Sequence, residues 1–470
     1  MPRVLKKKII YFLICLFSLS SAVQAQIQDA ALQATLQESF KLALQQSATV
    51  AIYKNQIDQT DEQIKQARAA YLPVLSLQAS VFEQQLQSTN QLTNNSSSVS
   101  QSVSQSTSNI NLSQNIFHGF RDLNTVKQRN HLKTGSEWAE KQATEQLYKD
   151  VAQAFYSILI FQSDILLYKE QIESTRQRKS ELTAARKSRR ARDSDILISE
   201  SVIANLVTAV SKAEAQLIIY QETFSFLTGL TNDVKLVNTV HLPKEFKTQN
   251  KKNDMDIWLE NFEQRPDIQK SKIDLLAAED GISAAQAGFY PSLNLSANYY
   301  LSRQSKIFGE MIKGSEWDVG LVLNFPFFSG GLTKAQVSEA RLIHQTKELN
   351  LRLTKQIANQ NLKTLIQTVQ SDFDQLAEFT NLSDLSHRSY KLIYRDNHLG
   401  VATNSDVLTA LQTWQESKRN FERIRITAIY DYVRLLIESG QINLDNQING
   451  QFDYRLQNQK KSKHSFWSEK

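Results

Sequence analysis

The stretch ARAAYLPVLSLQASV at residues 67–81 returns later in the chain as AQAGFYPSLNLSANY at residues 285–299. The two prolines, Pro73 and Pro291, correspond at an offset of 218 residues. Apolar and polar residues alternate after each proline, which is the pattern of a β-strand with one apolar face. A repeat of this kind indicates a duplicated structural unit.

The duplication continues beyond these strands. IFHGFRDL at residues 116–123 matches FFSGGLTK at residues 327–334, and their corresponding glycines lie 211 residues apart. Gly229 and Gly440 keep this offset, so no net insertion separates the two copies of the intervening segment. We therefore expect a first repeat at 26–240, an inter-repeat linker at 241–262, a second repeat at 263–440 and a polar C-terminal tail at 441–470.

Each repeat is predicted to contain two amphipathic strands, at about residues 73–87 and 109–118 in the first and about 291–303 and 316–326 in the second. The uncharged interval 88–108, rich in Ser, Asn, Gln and Thr, is expected to form an elongated hairpin loop, although a disordered linker has the same composition. A shorter loop is expected around residues 304–314. Strands of about ten alternating residues are typical of a transmembrane barrel with a wet lumen, but a half-buried soluble sheet gives the same pattern.

Turn residues mark the ends of these strands. Pro73 and Pro291 are placed at the helix–strand junctions. Gly119, Gly330 and Gly331 are placed at the strand–helix turns, because glycine tolerates a positive φ.

The segments between the strands are predicted to be long helices, because the chain has only 13 Gly and 6 Pro. We expect helices from residue 121 to about 188 and from residue 332 to about 399, each about 100 Å long. Return helices should follow and end at Gly229 and Gly440. The predicted fold is therefore mainly α with a transmembrane β-barrel contribution, built as a duplicated helix–strand–strand–helix repeat.

The N-terminus has the features of a secretory signal peptide at residues 1–25. Basic residues precede an apolar run at residues 9–19, and cleavage is expected between Ala25 and Gln26. Cleavage would lower the formal net charge from +6 to about +2, which gives no electrostatic footprint for nucleic acid. The single cysteine, Cys15, lies in the signal, which excludes disulfides and cysteine-ligated metals from the mature chain. No later apolar run is long enough to predict a transmembrane helix.

The sequence offers no catalytic or cofactor-binding motif. The seven histidines are scattered without an H-E-x-x-H pattern, and no Lys-Ser/Thr follows Gly330 and Gly331 as in a phosphate loop. We therefore expect a protein that is not an enzyme and that has no cofactor and no metal.

The number of strands bears on assembly. Four strands cannot close a barrel, and an open sheet edge in lipid would leave unpaired backbone groups that each cost several kcal/mol. If the strands lie in a membrane, several copies of the chain must assemble.

Together these motifs resemble the TolC-like outer membrane efflux proteins, also called outer membrane factors. The resemblance covers nearly the whole mature chain and depends on the order and duplication of its motifs. They are the two repeated strand segments, RPDI at 265–268, FPFFSGGL at 325–332 and LGVATNSDVL at 399–408. The resemblance implies a homotrimer in the cell outer membrane, with a twelve-stranded barrel on a long periplasmic α-helical tunnel. It also implies two partners, a periplasmic adaptor (membrane fusion) protein and an inner-membrane transporter, in tripartite efflux or type I secretion.

The resemblance places the periplasmic entrance at the ends of the two helical hairpins. Asp406 aligns with an aspartate that lines this entrance, and Ser194 and Asp195 match the end in the first repeat. Three copies of Asp406 would form a carboxylate ring that favours cations. The same residues begin the return helices, where such side chains cap free N–H groups, so one residue can serve both roles.

The hairpin ends depart from the family pattern. Ala402 and Asn397 stand where the family has an Arg and a Tyr of the gate, and Thr409 stands where it often has a second acidic residue. The first end is instead strongly basic, with Arg186, Lys187, Arg189, Arg190 and Arg192. We expect Arg189 or Arg192 to pair with Asp406 or Asp195 and to hold the entrance narrow.

The same ends carry the candidate adaptor-docking residues, namely Arg186, Lys187, Arg190, Gly400 and Val401. A solvated charge run is the simpler interpretation of the basic cluster. The alternative to a channel is a periplasmic coiled-coil scaffold or a surface adhesin, although duplicated amphipathic hairpins would have no use in either.

Overall fold

The computed structural model describes residues 33–89, 98–188, 191–231, 234–243, 258, 261–307, 310–314 and 316–440. The predicted signal peptide, Arg189, Arg190, most of the inter-repeat linker and the C-terminal tail lie outside these residues. The chain divides into two compact units, each of which is described by itself. The helical unit comprises the described residues up to 50, those within 142–265 and those from 358 onwards, and the sheet unit comprises 51–141 and 266–357.

The helices follow the predicted order. They are α1 (Leu36–Gln46), α2 (Ala48–Ala69), α3 (Arg121–Lys187), α4 (Asp193–Thr228), α5 (Pro266–Gln286), α6 (Leu332–His398) and α7 (Asn404–Glu438). The two long helices, α3 and α6, end within one residue of the predicted positions, and this prediction is confirmed. Their return helices end close to the predicted glycines: α4 ends at Thr228, directly before Gly229, and α7 ends at Glu438, two residues before Gly440. Both glycines have positive φ.

The strands of the sheet unit form one antiparallel sheet. Its members are β2 (Val74–Thr89), β3 (Ser98–His118), β5 (Ser292–Ile307), β6 (Glu310–Gly314) and β7 (Trp317–Asn324). The order is β2–β3–β5, and both β6 and β7 pair with β5. Two short strands, β1 (Gln33–Ala34) and β4 (Lys235–Leu236), pair in parallel in the helical unit.

Much of the two intervals expected to be loops is strand. β3 begins at Ser98 and its pairing with β2 continues to Thr89 and Ser98, so the expectation of a loop over 88–108 is wrong for 88–89 and 98–108, which are strand. Residues 90–97 of that interval lie outside the described part. Similarly, β5 runs to Ile307 and pairs with β6, where a loop around 304–314 was expected. Neither interval contains proline, and uncharged polar residues can continue an antiparallel ladder as well as apolar ones can.

The strand register sorts the side chains into apolar and polar rows. Leu75, Leu112, Ala297 and Val319 form one row across the four long strands. The next row is Ser76, Asn111, Asn298 and Asp318. In this row the amide of Asn111 donates to Asn298 Oδ1 at 2.7 Å, and Asn298 Nδ2 donates to Asp318 Oδ1 at 3.0 Å. The predicted alternation of faces is therefore present in the sheet.

The core of the helical unit lies along apolar residues spaced by three and four on its long helices. Leu147, Val151, Ala154 and Ile158 of α3 are buried, and so are Leu362, Ile366 and Val369 of α6. Phe40 of α1 packs edge-on against Tyr148 of α3, with ring centroids 4.8 Å apart. Packed apolar seams of this kind supply most of the stability of long helices.

Two helices are more apolar than was expected from the sequence. α3 and α4 each contain an 18-residue stretch with a mean hydropathy of 1.3 and 1.4, which by length and composition alone would permit a membrane span. The expectation that no helix meets this criterion is corrected. A helix that packs apolar side chains against neighbouring helices meets the same criterion, so the finding is weak evidence for a span.

Candidate functional site at the ends of the helical hairpins

Two tight turns close the helical hairpins, and both belong to the helical unit. The first joins α3 to α4 and the second joins α6 to α7. In the second turn Gly400 adopts φ +79°, and the N–H of Val401 donates to Asp396 O at 2.9 Å. This arrangement ends α6 and leaves Leu399 and Val401 exposed, the latter by 81%.

The second return helix begins with a complete capping box. Asp406 Oδ2 accepts hydrogen bonds from Thr403 N at 2.8 Å and from Thr403 Oγ1 at 2.6 Å. Thr403 Oγ1 accepts one in turn from Asp406 N at 3.2 Å. The side-chain hydrogen bond from Thr403, aided by the backbone one, lowers the pKa of Asp406. The cap is Thr403, three residues before Asp406, and the capping role expected for this aspartate is present.

The first return helix begins with a weaker version of the same arrangement. Asp195 Oδ2 accepts from the backbone N of Arg192 at 3.3 Å, but Arg192 supplies no capping side chain. The same oxygen also accepts from Asn404 Nδ2 of the second hairpin at 3.1 Å. Asp195 therefore joins the two hairpin ends, while its neighbour Ser194 is exposed.

The structure does not bring the guanidinium of Arg192 to either aspartate. Within the described part of the chain the backbone N–H of Arg192 takes that place, because Arg192 is the cap residue of α4. Arg189 and Arg190 lie outside the described residues. Arg186 Nη2 instead bonds Asp193 Oδ2 at 3.1 Å, and Lys187 is exposed.

A different arginine, Arg178, connects the hairpin ends. Its Nη2 donates to Asn397 Oδ1 at 2.8 Å and to Asn404 Oδ1 at 2.7 Å. Its Nη1 donates to Glu181 at 2.9 Å, and its guanidinium lies 5.6 Å from the ring of Tyr394. The side chain of Arg178 is 6% exposed, so it is a buried charge held by partners on both hairpins.

Arg178 was not among the residues predicted from the sequence. Gln171, Thr175, Arg178 and Leu182 of α3 are buried and follow one another at intervals of four, three and four. A charged residue that shares the three- and four-residue spacing of the buried positions is the sequence signal that could have predicted its role.

A polar cavity of about 660 Å³ lies between the hairpin ends. Its walls include Arg178, Glu181, Asp195, His398, Thr403 and Asn404. The cavity contains both charges and amides, so it suits water or a polar group better than an apolar ligand. No cluster of three or more His, Cys, Asp or Glu side chains able to hold a metal occurs among the residues described above.

The predicted turn residues of the sheet unit lie between its strands and helices, with Gly330 and Gly331 directly before α6. Gly119, Gly330 and Gly331 have φ of +61°, +63° and +85°, and Pro73 and Pro291 immediately precede β2 and β5. A Cβ at Gly119 would lie 2.5 Å from Ala287 O, so this turn requires glycine on steric grounds as well as for its φ.

These features together define a class of protein: a duplicated helical hairpin fold whose strands present an apolar face. A sequence profile described as "Outer membrane efflux protein" matches residues 40–190 and 260–433, which is more than half of the chain. The chain belongs to the outer membrane efflux protein family. Its location is the cell outer membrane, with a large periplasmic helical part.

Two curated relatives show the extent of the similarity. The "probable efflux pump outer membrane protein TtgC" of Pseudomonas putida is 26% identical over 191 residues, which cover 40% of this chain and 37% of TtgC. The "cation efflux system protein CusC" of Escherichia coli is 22% identical over 274 residues, covering 57% and 58%. The chain is thus aligned with less than two thirds of the length of either relative.

A solved structure shows the same fold. The outer membrane protein VceC from Vibrio cholerae superposes with a TM-score of 0.73 at 16% sequence identity. The superposition covers 86% of this chain and 96% of VceC.

Proposed function

We propose that three copies of this chain form an outer membrane channel with a twelve-stranded barrel and a periplasmic helical duct. The channel exports substrates as the outer component of a tripartite efflux or type I secretion system. The observation that carries the proposal is the open sheet of the sheet unit, whose apolar rows are exposed. Leu75 and Leu321, for example, are 69% and 65% exposed.

Such a sheet is incomplete at both of its edges. Its outermost long strands, β2 and β7, each have one edge without a partner in the described part of the chain. In lipid only a closed barrel satisfies every backbone group. Further copies of the same sheet would pair these edges, and the family resemblance suggests that the number of copies is three.

The helices carry a second incomplete surface. Large apolar side chains are exposed along α4, including Leu197, Ile218, Ile219 and Phe226. An apolar surface of this kind marks an interface. Neighbouring copies in a helical duct would cover it.

The gate is proposed at the hairpin ends. Asp406 would contribute one carboxylate per copy to an entrance ring, and Arg178 would hold the two hairpins of each copy together through Asn397 and Asn404. Asp195 would reinforce the closed arrangement through Asn404. In planar bilayers Asp406→Asn should lower the cation preference, whereas an unchanged preference would remove Asp406 from the conduction path.

The partners would dock on the same ends. The exposed Gly400–Val401 turn and the basic residues Arg186, Lys187 and Arg190 are the proposed surface for the periplasmic adaptor, which connects the duct to an inner-membrane transporter. The relatives bear the names of different pumps, one of them for cations. The proposed cargo is therefore a substrate of efflux or of type I secretion. We expect transport rather than enzymatic activity.

The decisive experiment compares two neighbouring residues of β7. Leu323 belongs to an apolar row and Asn324 to a polar one. Leu323→Arg should cost about 2–4 kcal/mol per chain if the residue faces lipid near the bilayer midplane. It should abolish heat-modifiable trimers in outer membrane extracts.

In this proposal Asn324 faces the lumen, so Asn324→Arg should leave these trimers in place. Equal effects of the two changes would contradict the assigned faces. Absence of any heat-modifiable species and of bilayer conductance in the unaltered protein would favour the scaffold or adhesin.

A further inference from the structure

Two buried carboxyl groups face each other in the second hairpin of the helical unit. Asp372 of α6 is 5% exposed, and Asp431 of α7 is 6% exposed. Asp431 Oδ1 accepts a hydrogen bond from Arg434 Nη1 at 2.9 Å. As ionised carboxylates both groups can only accept, and the buried Oδ2 of Asp372 has no donor within hydrogen-bond distance among the described residues. A buried oxygen without a partner is costly, and it is most costly when it is charged.

Binding of one proton by the pair removes the cost of this buried charge. Burial, together with the negative charge of Asp431 and a hydrogen bond to it, raises the pKa of Asp372 to about 7. When one carboxyl is protonated, its O–H donates to the other carboxylate, and only one negative charge remains for Arg434 to balance. The proton comes from solvent and belongs to the pair rather than to one residue.

The other ionisable groups near this position include Asp150 of α3, which accepts from Gln146 Nε2 at 2.8 Å and acts on Tyr430. Glu438, two turns further along α7, accepts from Lys149 of α3 at 2.8 Å and bonds Arg265. Tyr430 and Tyr432, on either side of Asp431, have raised pKa values because they are buried. Asp431 is the charged group that acts on Asp372.

The pair lies on the seam between the two helices of the hairpin. Asp372 precedes the end of α6 by 26 residues and Asp431 follows the start of α7 by 27, so the pair lies about 40 Å from the turn. Between the pair and the turn, Ser386 Oγ lies 2.7 Å from Ser417 Oγ. Trp414 stacks on His387 and Tyr390 at centroid distances of 4.3 and 5.5 Å. Loss of the proton would therefore place two negative charges within an otherwise closely packed helix pair.

We propose that Asp372 and Asp431 form a proton-binding site that tightens the pairing of α6 and α7 in acid and loosens it at neutral pH. This inference goes beyond channel formation, and its test does not require conductance.

Proton linkage determines how the stability of the hairpin changes with pH. The folded hairpin holds its proton up to a pH of about 7, whereas the unfolded chain loses it near the ordinary value of 3.8. The stabilisation is therefore complete below about pH 4 and is lost as the pH rises to about 7. The local opening constant should increase up to about tenfold per pH unit in this window and then level off.

Hydrogen exchange on the purified full chain in detergent tests the proposal. Between about pH 5 and pH 7, peptides covering residues 366–378 and 426–436 should show an opening constant that rises by about 50-fold, after correction for the intrinsic exchange rate. Asp372→Asn keeps the shape but removes the titration, so it should abolish this rise. Asp374→Asn, an exposed change on the same helix, should leave it intact. An equal rise in the unaltered protein and in Asp372→Asn would overturn the proposal.

A second measurement applies if Asp372→Asn fails to fold. Infrared difference spectra of the unaltered protein between about pH 5 and pH 8 should show a protonated carboxyl band that disappears around pH 7. The band should be absent or shifted in Asp431→Asn. A spectrum in which all carboxyl bands titrate near their ordinary values would show that no such site exists.

Discussion

The two hairpin ends have the same backbone plan but different chemistry. Each return helix begins with an aspartate at its third position, Asp195 in α4 and Asp406 in α7. In the second end Thr403 completes a reciprocal capping box. In the first end the cap residue is Arg192, whose side chain makes no such bond.

The difference indicates how each turn is stabilised. The second turn satisfies its own N–H groups and needs no help from the first. The first turn depends on the second hairpin, because Asp195 accepts from Asn404 and because Arg178 of α3 bonds Asn397 and Asn404. Duplication thus preserved the geometry of the turn, while its stabilisation in one copy moved to contacts between the hairpins.

Removal of Arg178 should have the largest effect on the stability of the two hairpin ends. Arg178→Ala leaves Glu181, Asn397 and Asn404 without their shared partner, at a cost of about 3 kcal/mol. Hydrogen exchange should increase in both ends, and more in the first, which lacks a cap of its own. In bilayers the resting conductance should rise if the hairpins form the gate.

Lys187→Ala is the matched control for Arg178→Ala. Lys187 is basic, lies on the same helix and is exposed, so its loss should change exchange by less than about 0.5 kcal/mol. If Arg178→Ala and Lys187→Ala gave the same exchange pattern, Arg178 would not be the connection between the ends.

Loss of the threonine cap should have a smaller effect, confined to the second end. Thr403→Ala removes the hydroxyl that accepts from Asp406 N, at a cost of about 1 kcal/mol. Exchange should increase in the first turn of α7. Thr403→Ser keeps the hydroxyl and should restore most of the protection. Equal protection in the Ala and Ser variants would show that the capping box does not stabilise this turn.

The comparison also shows what the sequence could predict. The long helices, their glycine stops and the alternation of strand faces follow from periodicity and turn residues, which act locally. The position of Asp406 near the start of a return helix was predictable for the same reason. The role of Arg178 was not, because its partners Asn397 and Asn404 lie more than 200 residues away in sequence. The extension of β3 back to Ser98 was also missed, because polar residues without alternation give no strand signal even where the backbone pairs.

Acid should weaken the second end selectively. Hydrogen bonds from Thr403 lower the pKa of Asp406 below its ordinary value of 3.8. The stabilisation is therefore present above about pH 4 and is lost as the pH falls through the lowered value. Exchange of the N–H groups in the first turn of α7 should increase in acid relative to Asp406→Asn measured at the same pH. A constant ratio of the two down to about pH 2 would contradict an ionised cap.

The smallest effect is expected at the cap of the first end. Arg192→Ala removes a side chain that caps nothing, while the backbone N–H that bonds Asp195 remains. The change in stability should stay within about 0.5 kcal/mol.

Arg192→Thr should do the opposite of Thr403→Ala, because it supplies the missing hydroxyl to the first turn of α4 and adds about 1 kcal/mol of protection. Arg192→Thr should also make the first end less dependent on the second hairpin, so that Asn404→Ala increases exchange around Asp195 less in this background than in the unaltered chain. If Asn404→Ala had the same effect in both backgrounds, the contact between Asp195 and Asn404 would not compensate for the absent cap.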